Sequence, residues 1–221
     1  MFLLLCFCAV ACVDDDVDRG NVALRIGDYE RAISNFSKAL DKDPGLRDAR
    51  YGLALAYYAI AEYHEQMKEP TLKLWERTVH EFKILSNVDT SGSINKTYST
   101  GLFYLARASL SQETNVIPIL DRSIQLDSSN YFSLNLKGLL LDKLGRHEEA
   151  RKNFIYIVAK EPKFASAHVN LGNMYWDEGD VESAWDIWSM GHMALPEDKV
   201  LAHWTAVAED SLKAMVLSGR L

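Results

Sequence analysis

Apolar and polar positions along the chain repeat with a helical period. Between Val200 and Val216 the apolar residues fall at 200/201, 204, 207/208, 212 and 215, a three-to-four spacing that lines one face of a helix. The same spacing predicts a long helix over about 47–67, a break at Glu69-Pro70-Thr71, a second helix over about 72–85, and a Ser/Gly/Asn-containing loop over 87–96.

A longer period lies above the helical one. Gly27-Asp28-Tyr29-Glu30-Arg31-Ala32 returns as Gly145-Arg146-His147-Glu148-Glu149-Ala150 and again as Gly179-Asp180-Val181-Glu182-Ser183-Ala184. Four residues after each Ala stands an aromatic (Phe36, Phe154, Trp188), and twelve after it a proline (Pro44, Pro162, Pro196). Seven residues before each phrase stands another glycine: Gly20, Gly138 and Gly172.

These residues resemble the tetratricopeptide repeat, a helix-turn-helix unit of 34 residues. The resemblance implies an all-α fold, an α-solenoid of tetratricopeptide-type repeats closed by a C-terminal capping helix. Small residues such as Gly172 and Ala184 are expected where two helices cross closely, and Trp188 is expected to fill the space toward the next unit. Each proline is expected to stop one helix before the next begins, because it lacks the N–H a helix interior needs. Carrying the register through gives about five units: 13–46, 47–96 with an insertion, a degenerate 97–130, 131–164 and 165–198. Residues 199–221 form the cap, whose polar face keeps a solenoid soluble. No linker-like composition divides the chain, so one continuous solenoid is expected.

Composition narrows the function classes. The formal charge of −7 disfavours a general affinity for nucleic acid, which requires a basic face. From Asp177 onward nine acidic residues stand against three basic ones, and four of the five tryptophans fall in the same region. An acidic surface carrying aromatics suits a basic or amphipathic partner, whereas the same tryptophans at repeat positions suit a core.

All three cysteines lie in Cys6-Phe7-Cys8-Ala9-Val10-Ala11-Cys12. Phe2 to Ala11 is uninterruptedly apolar, about half the length a membrane-spanning helix needs. An apolar stretch ending in small residues before Cys12 resembles a bacterial lipobox, although no Lys or Arg precedes it. The resemblance implies that residues 1–12 end at a lipidated Cys12 and that the protein is a membrane-anchored lipoprotein of the cell envelope, facing the periplasm or the exterior. A disulfide framework would distribute cysteines through the fold; the alternative location is the cytoplasm.

Catalytic chemistry is not indicated. The six histidines form no HExxH, the glycines no GxGxxG or P-loop, and no GxSxG occurs. The carboxylates are expected on solvent faces. No enzyme activity, metal, cofactor or small-molecule substrate is therefore expected. The resemblance implies a protein or peptide partner, held on the concave surface by the first helix of each unit: Asn21 and Arg25, then Tyr51 and Tyr58, then Phe132, Asn135, Asp142 and Lys143, and finally Asn173, Trp176 and Asp177. Asn135 and Asn173 match the asparagines of a carboxylate clamp, but Ser166 and Val169 stand where its cations would be. A cytosolic adaptor or co-chaperone, or a regulatory subunit of an enzyme complex, is the alternative.

Overall fold

The computed structural model describes residues 15–88, 91–112 and 114–218, and the proposed lipid site at Cys12 lies outside them. Helix follows helix: α1 (15–25), α2 (Tyr29–Lys42), α3 (Arg47–Gln66), α4 (Leu72–Ser86), α5 (Asn95–Ala108), α6 (Ile117–Leu126), α7 (Tyr131–Lys143), α8 (His147–Lys160), α9 (Ala165–Asp177), α10 (Val181–Ala194) and α11 (Lys199–Leu217). A 3₁₀ turn, Ser109–Gln112, extends α5, and no strand occurs among the described residues. The chain forms two compact units, the first ending at Asp127 and the second starting at Ser128. From α2 onward, each helix within a unit packs against its successor.

The helix limits follow from local chemistry. Asp28, Asn130, Asp180 and Asp198 cap α2, α7, α10 and α11 by accepting backbone N–H bonds from the first turn, satisfying donors that a helix start otherwise leaves open. Gly27, Gly145 and Gly179 take φ of 77°, 76° and 81°. That left-handed geometry lets Asp28, Arg146 and Asp180 donate backward to Ala23, Leu141 and Tyr175, each at 2.9 Å, the closing bond of a Schellman turn. After α3 the same turn is built on Lys68 at φ 59°, with the Glu69 N–H bonded to the His64 carbonyl at 3.0 Å. A side chain is there forced into a conformation costing about 1–2 kcal/mol.

The repeated glycines and aromatics explain one another. A Cβ on Gly20 would lie 2.6–2.9 Å from the Phe36 ring, one on Gly138 at 2.6–2.7 Å from atoms of the Phe154 ring, and one on Gly172 would overlap the Trp188 indole. The glycine is thus small chiefly for the ring, and the ring reaches back over its own hairpin as well as forward. Phe36 also sits on Gly52 of α3, and Trp188 stacks on Trp204 of α11 with centroids 5.3 Å apart.

The loop expected over 87–96 is shorter, because buried Ile94 joins Phe82, Leu85 and Tyr98 and α5 begins at Asn95. Not every carboxylate is on a solvent face. Asp16 and Glu81 are buried, Asp16 against the Lys42 ammonium at 2.6 Å and Glu81 against the Arg50 guanidinium at 2.7 Å. The Lys42 hydrogen bond holds the Asp16 carboxyl below the usual carboxylate range. The expected C-terminal helix is present as α11, and it leaves Val216 and Leu217 62% and 88% exposed near its end.

Candidate functional site

In the second unit, Phe132 and Asn135, three residues apart on α7, meet the start of α9 and its Asn170. Phe132 is 62% exposed yet meets the Phe164 ring edge-on, with centroids 5.2 Å apart. Half-buried Asn135 accepts a hydrogen bond from the Asn170 amide at 2.9 Å. That bond uses one donor of Asn170 and the Asn135 oxygen, leaving the Asn135 NH₂ and the Asn170 carbonyl oxygen as a neighbouring donor and acceptor. Leu139, one turn farther on, is 43% exposed. Asn173 follows Asn170 on α9 and is half-buried.

Other expected site residues are differently placed. Asp142 accepts a 2.7 Å bond from His147 Nδ1, so its carboxylate is engaged at the α7–α8 turn. Lys143 ends α7 and Asp177 ends α9, both exposed. Trp176 packs into the cluster of Trp188, Leu201 and Ala208, 5.7 Å from the Trp188 centroid. Trp188 is fully buried, and Trp185 and Trp204 pack against the same cluster. The aromatics of the acidic end therefore serve mainly the core.

In the first unit, Asn21 and Arg25 are exposed and line an open depression of about 630 Å³ with Asp18, Val22 and Leu24. Tyr51 is partly exposed and presents its ring edge-on to Phe82 at 6.4 Å. Tyr58 turns inward: its ring meets Trp75 edge-on at 5.3 Å and packs with the buried cluster containing Phe82 and Leu102. Burial, followed by the nearby Glu62 charge, pushes its phenol well above the ordinary tyrosine range.

The periodicity did not single out two residues of the α7–α9 face, Leu139 and Asn170. Asn170 lies 35 positions after Asn135, one repeat plus one residue, and that offset is the signal that pairs them across adjacent helices. His168 is a buried core residue, with Nδ1 3.1 Å from the Ile187 carbonyl oxygen and Nε2 2.9 Å from that of Pro162. Among the described residues, no cluster of His, Cys, Asp or Glu is arranged to hold a metal, and no helix is long and apolar enough to cross a membrane.

Successive hairpins with a ring seated on a missing Cβ define a helical-repeat protein. The profile of the tetratricopeptide repeat matches residues 17–66 and 135–188, and over those stretches the chain is similar to that family. A TPR repeat-containing protein of Methanocaldococcus jannaschii is 23% identical over 180 residues, 75% of this chain and 28% of its own length. Human tetratricopeptide repeat protein 6 is 22% identical over 213 residues, 86% of this chain and 40% of its own length. The chain thus spans well under half of these curated relatives.

Solved structures show the same fold. YrrB, described as a TPR protein with an unusual peptide-binding site, superposes with a TM-score of 0.57 at 20% identity, covering 85% of this chain and 89% of that one. A tetratricopeptide repeat protein from Parabacteroides merdae gives 0.58 at 15% identity, covering 92% of this chain and 74% of its own. MamA gives 0.55 at 20% identity, covering 79% and 93%. Proteins of this repeat class generally mediate protein–protein interactions and are typically non-catalytic scaffolds.

Proposed function

We propose that the chain is a non-catalytic interaction module that holds a segment of a partner protein along the α7–α9 face. The observation that carries this reading is the Asn135–Asn170 bridge lying beside solvent-exposed Phe132 and Leu139. A donor and an acceptor side by side suit one peptide unit of an extended or helical segment, and the two apolar side chains suit an apolar residue next to it. Exposed Asp177 at the end of α9 favours a basic flank on that segment.

A peptide array probed with the purified chain tests this directly. Parent protein is expected to retain apolar-basic peptides, and the Phe132→Ala, Leu139→Ala double variant to lose them by about tenfold or more, as when an interface anchor is removed. Equal retention by the two proteins would sink the reading. The N-terminal pattern adds a location: Cys12 carries a lipid that anchors the module to an envelope membrane. Labelled-palmitate incorporation that vanishes in Cys12→Ser is the expected result. Unlabelled protein that keeps Met1 would instead favour the cytosolic adaptor or the regulatory subunit.

A further inference from the structure

Asn135 and Asn170 on the α7–α9 face offer a ligand a particular match. Each carboxamide carries two N–H donors and an accepting oxygen, and the 2.9 Å bond between them joins an Asn170 N–H to the Asn135 oxygen. The Asn135 NH₂ and the Asn170 oxygen are left side by side, and turning both amides over leaves the same inventory. In an extended segment a residue's own N–H and C=O point to the same side, so the N–H donates to the Asn170 oxygen while the C=O accepts from the Asn135 NH₂. In a helix interior both groups are already committed to partners four residues away. Beside the pair, the exposed Phe132 ring and the Phe164 ring it meets edge-on give an apolar neighbour of that residue a place to rest.

A free C-terminus fits badly. Its carboxylate only accepts, and the hydration it loses on docking must be replaced by a cation or by several N–H donors. No charged residue stands one turn before or after Asn135 on α7, or one turn before or after Asn170 on α9, and α9 carries no Lys or Arg. Lys137 leaves α7 about 200° round from Asn135, and Lys163 lies ahead of α9, seven residues before Asn170. Arg151 of α8 is held by Glu178 and the Tyr175 ring. The exposed charge at the end of α9 is that of Asp177, of the wrong sign for a carboxylate.

Resting on the reading of this face as a partner surface, we propose that it selects a residue from the interior of an extended segment, whose N–H and C=O are taken by Asn170 and Asn135, and that it turns away the C-terminal residue of a chain.

Fluorescence polarisation tests this with the full chain and labelled synthetic peptides in which a last Leu follows a run of Lys and Arg. Each peptide is made as the free acid, as the C-terminal amide, and with Gly-Gly added before a free acid end. The extended form carries the same net charge as the acid, so comparing the two reads the position of the chain end and not overall charge. The amide and the extended form are expected to bind alike, and the acid about tenfold or more weakly, as when a charged acceptor is left unanswered. Ser166→Lys, at an exposed position one turn before Asn170, should bring the acid to within about threefold of the amide by supplying the cation. Asn135→Leu with Asn170→Leu removes both amides together and should weaken the extended form about tenfold while leaving helical content unchanged. An acid form that binds the parent as tightly as the extended form overturns this proposal and leaves the partner surface standing. So does an extended form that binds the double leucine variant undiminished, or a peptide that turns helical on binding in circular dichroism. Binding of none of the three forms removes the partner surface itself, and the proposal with it.

Discussion

The hairpin α9–α10 and the hairpin α3–α4 solve the same packing problem with different chemistry. In the first, the Trp188 ring of α10 lies on the bare Cα of Gly172 of α9, and Gly191 of α10 likewise lies against the His168 ring of α9. In the second no ring lies on a glycine of the hairpin's own first helix; Gly52 instead receives Phe36 from α2. Polar and aromatic groups take over the clamp. Arg50 pairs with Glu81 near the start of α3 and also bonds the Pro44 carbonyl oxygen at 2.9 Å. Near its end Trp75 stacks on Tyr104 at 4.6 Å, meets Tyr58 edge-on, and donates Nε1–H to Glu65 at 3.1 Å. Glu65 also accepts from Thr71 at 2.6 Å and from Arg107, so one carboxylate joins α3, α4 and α5. The repeat signature therefore marks one route to a close helix pair, and its lapse in the first unit does not mark a loose one.

That equivalence breaks most visibly at the two indoles. Trp188→Ala is expected to cost about 3–5 kcal/mol in urea unfolding, the usual range for a fully buried tryptophan, and Trp75→Ala about as much. A cost below about 1 kcal/mol for Trp75→Ala would show that the α3–α4 clamp is not the counterpart of the glycine–ring contact.

Glycines separate the hairpins next. Gly172→Ala forces a methyl into the Trp188 ring and should cost about 1–3 kcal/mol. A Cβ on Gly101 of α5 would meet Thr78 Cγ2 at an ordinary 3.5 Å, so Gly101→Ala is expected to be neutral or to gain up to about 1 kcal/mol from helix propensity.

A subtler contrast lies in the buried pair Ser99 and Ser123. Each hydroxyl donates to the other residue's carbonyl oxygen, at 2.9 and 2.8 Å, and Ser123 stands at the repeat position that Ala39 holds in the first repeat. Ser99→Ala should cost about 1 kcal/mol. The double alanine variant, with no hydroxyl left to satisfy, should cost less than the two single changes added together; strict additivity in chemical denaturation would refute the coupling.

Glu65 gives the comparison a pH dependence. Burial pushes its carboxyl up, but the Thr71 and Trp75 hydrogen bonds and the Arg107 guanidinium outweigh it, so the pKa lies below the ordinary glutamate range. A lowered carboxylate pKa adds stability that is present above the unfolded value of about 4.3 and lost as pH falls through the folded one. For this partly exposed group the share is about 1 kcal/mol or less. The drop in Tm between pH 6 and pH 3 should therefore be smaller in Glu65→Gln than in the parent, and an unchanged drop would remove Glu65 from the acid response. The smallest change is expected at Lys68. Lys68→Gly relieves the left-handed backbone but loosens the unfolded chain, for a net gain of about 0.5 kcal/mol; destabilisation would mean the side chain holds the turn.

The sequence reveals the α7–α10 hairpins because Gly138, Phe154, Gly172 and Trp188 recur at fixed spacing, and each ring's seat is local to its hairpin. It does not reveal the α3–α5 knot, since Glu65 and Arg107 lie 42 residues apart with no repeat to align them. The candidate site divides the same way. Asn135 and Asn173 stand out through the resemblance to the repeat family. Whether Leu139 is covered, or Asn170 reaches Asn135, depends on the side chains of the facing helix, which periodicity does not specify. Tyr58 has the register of a surface residue, but Trp75 of α4 meets its ring edge-on.

The 20-residue length of α3 has one more effect. It exceeds α7 and α9 by seven residues, which at 3.6 residues per turn is within about 20° of two whole revolutions. Lengthening by nearly an integral number of turns leaves the helix in phase, so residues beyond the point where a standard helix would stop still face the directions set at its start. The helix gains about 10 Å of reach without rotating its neighbours, and Glu65 arrives at Arg107 on the same side of the stack from which Arg50 departs toward Glu81. An insertion of half a turn more would have delivered that carboxylate to the opposite side.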